Sequence, residues 1–278
     1  MSAISLNAGI RANLLTLQSV ADARSQTQVR LGTGKKVNSP IDNPDAFFTS
    51  SNLSTRAGEL TARLDGVAGG VKTLKAASTG IAAMRDLLDQ ARGVALEARA
   101  LPTPEADAER MASARMFNRL LTQSDTVAED ASYDGVRMLM NDSLVIEFGG
   151  TSGTSTAHLP GFDATSAGPV VVASPQTPAA WTGDNTAIDQ TIERIKTSIN
   201  NLDTQTGVLE TNLSILTARR TFTEDLIGTL NTGAAELVNA DIQEETAAQL
   251  ANNSRQEFAT NAMILAAQST KQVLQLMG

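Results

Sequence analysis

Apolar residues recur every three to four positions through most of this chain, the period of a helix buried along one side. The cleanest run lies in the first half. Leu53, Ala57, Leu60, Leu64, Val67, Val71, Leu74, Ser78, Ile81 and Leu88 follow steps of four, three and seven. A 3.5-residue period predicts left-handed, coiled-coil-like packing. Asn43-Pro44 supplies a cap and a first turn, and nothing stops the helix before Pro102. Such a helix would be roughly 85 Å long. Inside it, Gly58, Gly66, Gly69, Gly70, Gly80 and Gly93 each cost roughly 1 kcal/mol relative to Ala, which close backbone approach is expected to offset.

A second heptad run begins near Asn185: Ile188, Ile192, Ile195, Ile199, Leu202, Thr206, Leu209, Leu213, Leu216, Arg220, Thr223, Ile227 and Leu230. A break is expected at Asn231-Thr232-Gly233. Between the two runs, Thr103-Pro104-Glu105 reads as cap, first position and acidic first turn of a shorter helix ending near Asp130. Met111, Ala114, Phe117, Leu121 and Ala128 should face inward, and the tight Pro-x-Pro link makes this helix antiparallel to its predecessor. Tyr133-Asp134-Gly135 ends it. From there to Trp181 the pattern turns β-like, with short strands expected at Leu144–Phe148 and Val170–Val172 among Gly, Ser, Thr and Pro.

The two ends follow the helical period without charge. From Met1 to Val20 the one ionisable side chain is Arg11, and from Phe258 to Gly278 it is Lys271. Leu6, Ile10, Leu14, Leu17 and Ala21 form an apolar stripe at the start, and Phe258, Ala262, Leu265, Val273 and Leu276 form one at the end. The other face is Asn, Ser, Thr and Gln where a surface helix would carry charges. Both ends are thus expected to pack together and against other protein. The layout is mainly α, with long antiparallel helices in a coiled-coil-like bundle. Residues 1–34 and 240–278 form a terminal helix pair, 35–142 and 185–239 a central bundle, and 143–184 a small exposed β-rich insert.

Composition narrows the function. Aromatic residues make up 3% of the 278 positions, too few for the usual walls of an enclosed ligand pocket. A net charge of -8 and a pI near 4.8 argue against nucleic acid. With no Cys, disulfides, thiolate nucleophiles and Cys-held metals are excluded. Residues 1–20 lack the basic start and unbroken apolar stretch of a secretory signal, and no apolar run reaches membrane-span length.

Candidate chemistry is sparse. His158 stands alone in the polar insert. Gly32-Thr33-Gly34-Lys35 has Val29 and Lys36 where a phosphate loop needs Gly and Ser or Thr, so it reads as a hinge. Asp241, Glu244 and Glu245 suit the dipole of a helix start better than a cation. No catalytic, metal or cofactor site is expected.

The terminal stretches resemble bacterial flagellins. LGTGKKVNSPIDNPDA, residues 31–46, is similar to that family's N-terminal signature, and Asn7, Ala8, Leu14 and Leu17 fit its first helix. SYDGVRML resembles its turn after the third helix. ADIQEETAAQLANNSRQEF and AMILAAQSTKQVLQLMG resemble its closing helix. The likeness covers about the first 140 and last 90 residues. Pro40, Pro44 and the bulky Phe47-Phe48 pair depart from it at the hinge.

The resemblance implies a subunit that polymerises helically into a hollow, secreted, extracellular filament used as a swimming propeller. The terminal pair would form an inner tube, the central bundle an outer tube, and the insert would face solvent. Leu6, Ile10, Leu14, Leu17, Phe258, Ala262, Leu265, Val273 and Leu276 would pack the inner tube, while Gln268, Gln272 and Gln275 would face the channel. O-linked sugars would fall on Thr151, Ser152, Thr154, Ser155, Thr156, Thr165 and Ser166. Implied partners are other flagellin copies (sister flagellins included), the export apparatus and a secretion chaperone, and the filament cap and hook-associated proteins. A hook–filament junction protein of the same superfamily and a non-flagellar coiled-coil scaffold are the rival readings.

Overall fold

A computed structural model describes the backbone of residues 8–149 and 155–276, and the side chains of 11–149, 155–269, 271 and 272. Among these, five long helices carry the fold: α1 (Ala8–Thr33), α2 (Pro44–Ala100), α3 (Asp107–Asp130), α4 (Thr186–Val238) and α5 (Ile242–Leu276). A two-stranded antiparallel sheet, β1 (Leu144–Glu147) with β2 (Thr156–Leu159), and a 3-10 turn at Pro178–Trp181 complete it. The mainly α class follows the sequence pattern. The chain divides into two compact units, one of residues 1–57 with 228–278 and one of residues 58–227, and both cuts fall inside long helices, α2 and α4.

In the terminal unit, Gly34 adopts φ +70, which turns the chain off the end of α1 without the steric cost a side chain would meet there. The following segment is tied to the end of α4. Lys36 and Val37 donate their backbone N–H groups to Val238 O at 2.7 and 3.2 Å, and Ala240 donates to Gly34 O at 2.9 Å. Asn43 Oδ1 caps α2 by accepting from Ala46 N–H at 3.1 Å. Asp241 Oδ1 caps α5 by accepting from Gln243 N–H at 2.8 Å. The expected break at Asn231-Thr232-Gly233 does not occur, and α4 continues to Val238. Packing overrides the local signal there: Ala234 is buried, Ser50 Oγ donates to Ala234 O at 2.9 Å, and Leu53 Cδ1 lies 3.7 Å from where a Gly233 side chain would begin.

The middle unit has the expected heptad core. Val67, Leu74, Ile81 and Leu88 of α2 are buried with Ile188, Ile195, Leu202, Leu209 and Leu216 of α4. A second buried row on α2, Ala77, Met84, Ala91, Ala95 and Ala98, was hidden in the sequence by its small residues. On α3, Ala114, Phe117, Leu121 and Ala128 are inside as predicted, and so is Arg110. The Arg110 Nε donates to Ala98 O at 3.1 Å, at the electronegative end of α2, and its Nη2 donates to Asn185 Oδ1. The predicted cap at Thr103 is not used. Residues 103–106 form turns, α3 begins at Asp107, and the cap position Ala106 offers no side-chain acceptor.

Val170–Val172 is not a strand. Its backbone is held by α4 side chains instead of a neighbouring strand: Asn201 Nδ2 donates to Val170 O at 3.0 Å, and Ser198 Oγ accepts from Ala173 N–H at 3.1 Å. Val170, Val171 and Ala173 are buried. β2 is Thr156–Leu159, where no strand was expected, and Leu144, Ile146 and Leu159 point into the core. Trp181 lies against Phe117 with ring centroids 5.5 Å apart. The 143–184 segment is therefore packed along α3 and α4, with side chains in the main core, although an exposed insert was expected. Of the six α2 glycines, Gly70 and Gly80 meet close neighbours, while Gly58, Gly66, Gly69 and Gly93 face open space within this chain.

Two outcomes follow. A Cβ at Gly80 would collide with Ala131 and reach within 2.8 Å of Leu139 Cδ1, so Gly80→Val should destabilise the middle unit by about 1–3 kcal/mol in urea unfolding. In the 38–42 turn, the Asn38 and then the Ser39 backbone N–H groups hold the Asp42 carboxyl below its ordinary range. A depressed folded pKa contributes stability above the unfolded value and loses it as pH falls through the folded value. Amide protection at Asn38 and Ser39 should therefore fade as the solution is acidified below about pH 4, and Asp42→Ala should remove that pH dependence.

Candidate self-assembly surface

α1 and α5 pair antiparallel, and the faces they turn to each other mix polar and apolar residues. On α1 the covered positions are Asn13, Leu17, Val20, Arg24, Thr27 and Leu31. On α5 they are Glu245, Gln249, Asn252, Gln256, Ala259 and Met263. Both rows follow steps of four and three, so a heptad geometry exists with Val20 as its one fully buried apolar side chain among the described residues. Arg24 Nη1 donates to Gln256 Oε1 at 2.6 Å, and Arg30 Nη1 pairs with Glu245 Oε1 at 2.9 Å. Thr27 Oγ1 donates to Ala23 O one turn back at 3.0 Å, which lets its hydroxyl be buried without loss. Gln249 Oε1 is buried with no donor, a further weakness of this seam.

Several large apolar residues face away from the seam, although Leu17, Val20, Leu31 and Met263 lie in it. Leu14 is 47% exposed, Phe258 73% and Leu265 65%. Ala262 is also exposed, and Leu17 is half-buried in the seam. Of the predicted stripes, Leu14, Phe258, Ala262 and Leu265 lie outside the rows that join α1 to α5, whereas Leu17 lies within them. Leu6 lies outside the described residues, and the side chains of Ile10, Val273, Leu276 and Gln275 lie outside those described. Gln268 and Gln272 are exposed. At 100° per residue Gln272 stands within about 20° of Leu265, so a face that packs Leu265 carries Gln272 with it, while Gln268 stands about 60° round. Exposed Leu15, Leu250, Ile264 and Ile41 were missed. The first three adjoin the predicted stripe or extend it. Ile41, at 94% exposure, is held out by the Asp42-braced turn, which no periodicity could announce.

Other candidate groups are absorbed by structure. His158 is exposed on β2 opposite Val145. Lys36 Nζ donates to Glu236 O at 2.8 Å, so the glycine-lysine segment serves as a turn. Asp241 caps α5 and Glu245 pairs with Arg30. Among the described residues no group of three or more metal-ligating side chains converges, and no helix is long and apolar enough to cross a membrane. Of the hydroxyls considered for sugars, Thr151, Ser152 and Thr154 lie outside the described residues. Ser155 is half-buried and Thr156 exposed. Thr165 Oγ1 donates to Asp163 at 2.8 Å and Ser166 Oγ to Asp125 at 2.6 Å, so both are engaged.

Residues 4–143 match the family described as bacterial flagellin N-terminal helical region. Over its whole length the chain is similar to Caulobacter vibrioides flagellins: 28% identical to flagellin FljM and 27% to flagellin FljK, each across 99% of this chain and 98% of the relative. A Listeria monocytogenes flagellin is 21% identical across 91% of both. A crystal structure of Bacillus cereus flagellin, 14% identical, superposes with a TM-score of 0.46 over 56% of this chain and 86% of that one. Charge-poor paired terminal helices with several large apolar residues turned outward, the signature at residues 31–46 and the match over 4–143 lead to one conclusion: this chain belongs to the bacterial flagellin family and is a structural subunit of the flagellar filament.

Proposed function

We propose that α1 and α5 form the inner tube of the filament, that the 35–142 and 185–239 bundle forms its outer tube, and that the 143–184 segment faces the medium. The carrying observation is the terminal pair whose seam is rich in polar side chains while Leu14, Leu15, Leu250, Phe258, Ile264 and Leu265 stay exposed outside it. Each outward Leu or Phe, already partly covered, gains roughly 1–2 kcal/mol when covered, and neighbouring copies are what would cover it. Helical polymerisation is a heterologous association that never closes, so each copy needs two different, complementary faces for growth without limit. The role is structural rather than catalytic. As a stiff, rotating helix the filament acts as a propeller, with small changes of packing between subunits setting its curvature. Subunits leave the cell through the flagellar export apparatus, escorted by a secretion chaperone, and assemble beneath a cap onto hook-associated proteins. Gln268 and Gln275 would give the channel an uncharged polar wall to which passing chains do not adhere, whereas Gln272 goes with the packed face of Leu265.

Deleting residues 273–278 should abolish filaments in electron micrographs while circular dichroism of the middle unit is kept. Phe258→Asp should raise the critical concentration for assembly about tenfold or more. Filaments retained in both variants at the native concentration would defeat the inner-tube assignment. O-linked sugar, where present on the described candidates, should map to the peptide bearing Thr156; an intact mass equal to the bare 29.1 kDa chain would exclude it.

A further inference from the structure

α4 carries two heptad seams. One is buried in the middle unit through Leu202, Leu209 and Leu216. The other is exposed along its whole length: Thr204, Val208, Thr211, Ile215, Ala218 and Phe222 follow steps of four, three, four, three and four. Val208 is 49% exposed, Ile215 51% and Phe222 58%. This row runs for about 27 Å with no charged member. A strict repeat of this kind is the pattern by which one helix presents knobs to another. Nothing within the middle unit covers it.

We infer that this second seam of α4 is a lateral contact with another copy of the same chain, outside the terminal helices. The inference rests on the filament reading and adds a named surface to it. Four features support a protein helix as occupant. The hydroxyls of Thr204 and Thr211 already donate to the carbonyls of Asn200 and Gly207 at 2.9 and 2.8 Å, so covering their methyl groups strands no donor. One flank of the row is Gly207, Ser214 and Thr221, small enough for a second backbone to come close. A Cβ at Gly207 would meet nothing within 4 Å, so no packing in this chain requires the glycine, which costs roughly 1 kcal/mol in a helix interior. Finally, Ile215, Ala218, Arg219 and Phe222 line a shallow open depression of about 350 Å³, a hole suited to one inserted side chain.

Charge selects a second copy over an unrelated partner. The chain carries a net -8, so copies meeting through charged faces repel one another. Along this stretch most charges are engaged off the row: Asp203 pairs with Arg85 at 2.8 Å, Arg220 with Glu224 at 2.8 Å, and Arg219, at the edge of the depression, lies over the Phe148 ring at 5.5 Å, while exposed Glu210 stands beside the row and not in it. A neutral stripe on an acidic subunit is where like-charged copies can approach.

The chain has no cysteine, so Ile215→Cys gives a single thiol. Maleimide should label it readily in the dilute monomer and about tenfold or more slowly in filaments. The double change Ile215→Ser with Phe222→Ser should keep the monomer's circular dichroism and raise the critical concentration about tenfold or more. Unchanged labelling in filaments overturns the inference, whatever the double variant does. So does protection confined to a discrete dimer, or protection that appears only when a different flagellar protein is added. Should the double variant fail to fold, the thiol labelling decides alone. Native chain that never forms filaments defeats the filament reading itself; filaments of the Ile215→Cys variant whose thiol stays reactive defeat this seam and leave that reading standing.

Discussion

The seam between α1 and α5 is held by polar contacts, and the behaviour of the terminal unit follows from that. Buried apolar area is what ordinarily stabilises a helix pair, because most helical stability in a protein comes from packing of an apolar face and not from propensity. Here the meeting faces offer Val20, an Arg24–Gln256 hydrogen bond and an Arg30–Glu245 pair, and each exposed or half-exposed polar contact contributes little against solvent. Leu14, Phe258 and Leu265 are left exposed outside that seam. A pair built the other way, with leucines inside and amides outside, would be a finished hairpin with nothing to gain from neighbours.

The middle unit solves the opposite problem. Val67, Leu74, Ile81 and Leu88 interlock with Ile188, Ile195 and Leu202, and α3 adds Phe117 and Leu121 to a core that needs nothing from outside. Aromatic side chains are scarce, so the core is filled by close approach. Ala77, Ala91, Ala95 and Ala98 let backbones come near, and Gly70 and Gly80 admit Ile146 and Ala131 where any side chain would collide. The same device, Thr and Ser bonding to the carbonyl one turn back, recurs on every long helix, as at Thr16, Thr73, Thr122, Thr211 and Thr260. It satisfies polar groups internally, and so allows an uncharged helix face to be covered or left bare at small cost.

The 143–184 segment is where local signals and tertiary demands part company. Three consecutive valines have high strand propensity, yet no partner strand reaches Val170–Val172. Asn201 and Ser198 of α4 take the backbone groups instead. Asn118 repeats the arrangement with Gln176, accepting its N–H and donating to its carbonyl, both at 2.7 Å. Strand propensity reports a fit to a pleated, half-buried surface, and a helix face lined with amides and hydroxyls can supply such a surface.

By itself the sequence determined the helices: their number, their heptad phase in α2 and α4, the caps at Asn43 and Asp241, and the shortage of charge at both ends. These are local properties, written in residues three and four apart, and packing had no reason to oppose them. Which face of each helix meets which neighbour was a tertiary decision. The apolar stripes through Leu14 and Phe258 were legible, but that α1 and α5 would join through the faces beside those stripes was not, because both choices share one period and differ by a single residue of rotation. The persistence of α4 through Gly233, the burial of Arg110 against the end of α2 and the exposure of Ile41 on a braced turn were likewise decided in three dimensions. Each depends on partners far away in the chain, and a one-dimensional pattern carries no record of where those partners will be.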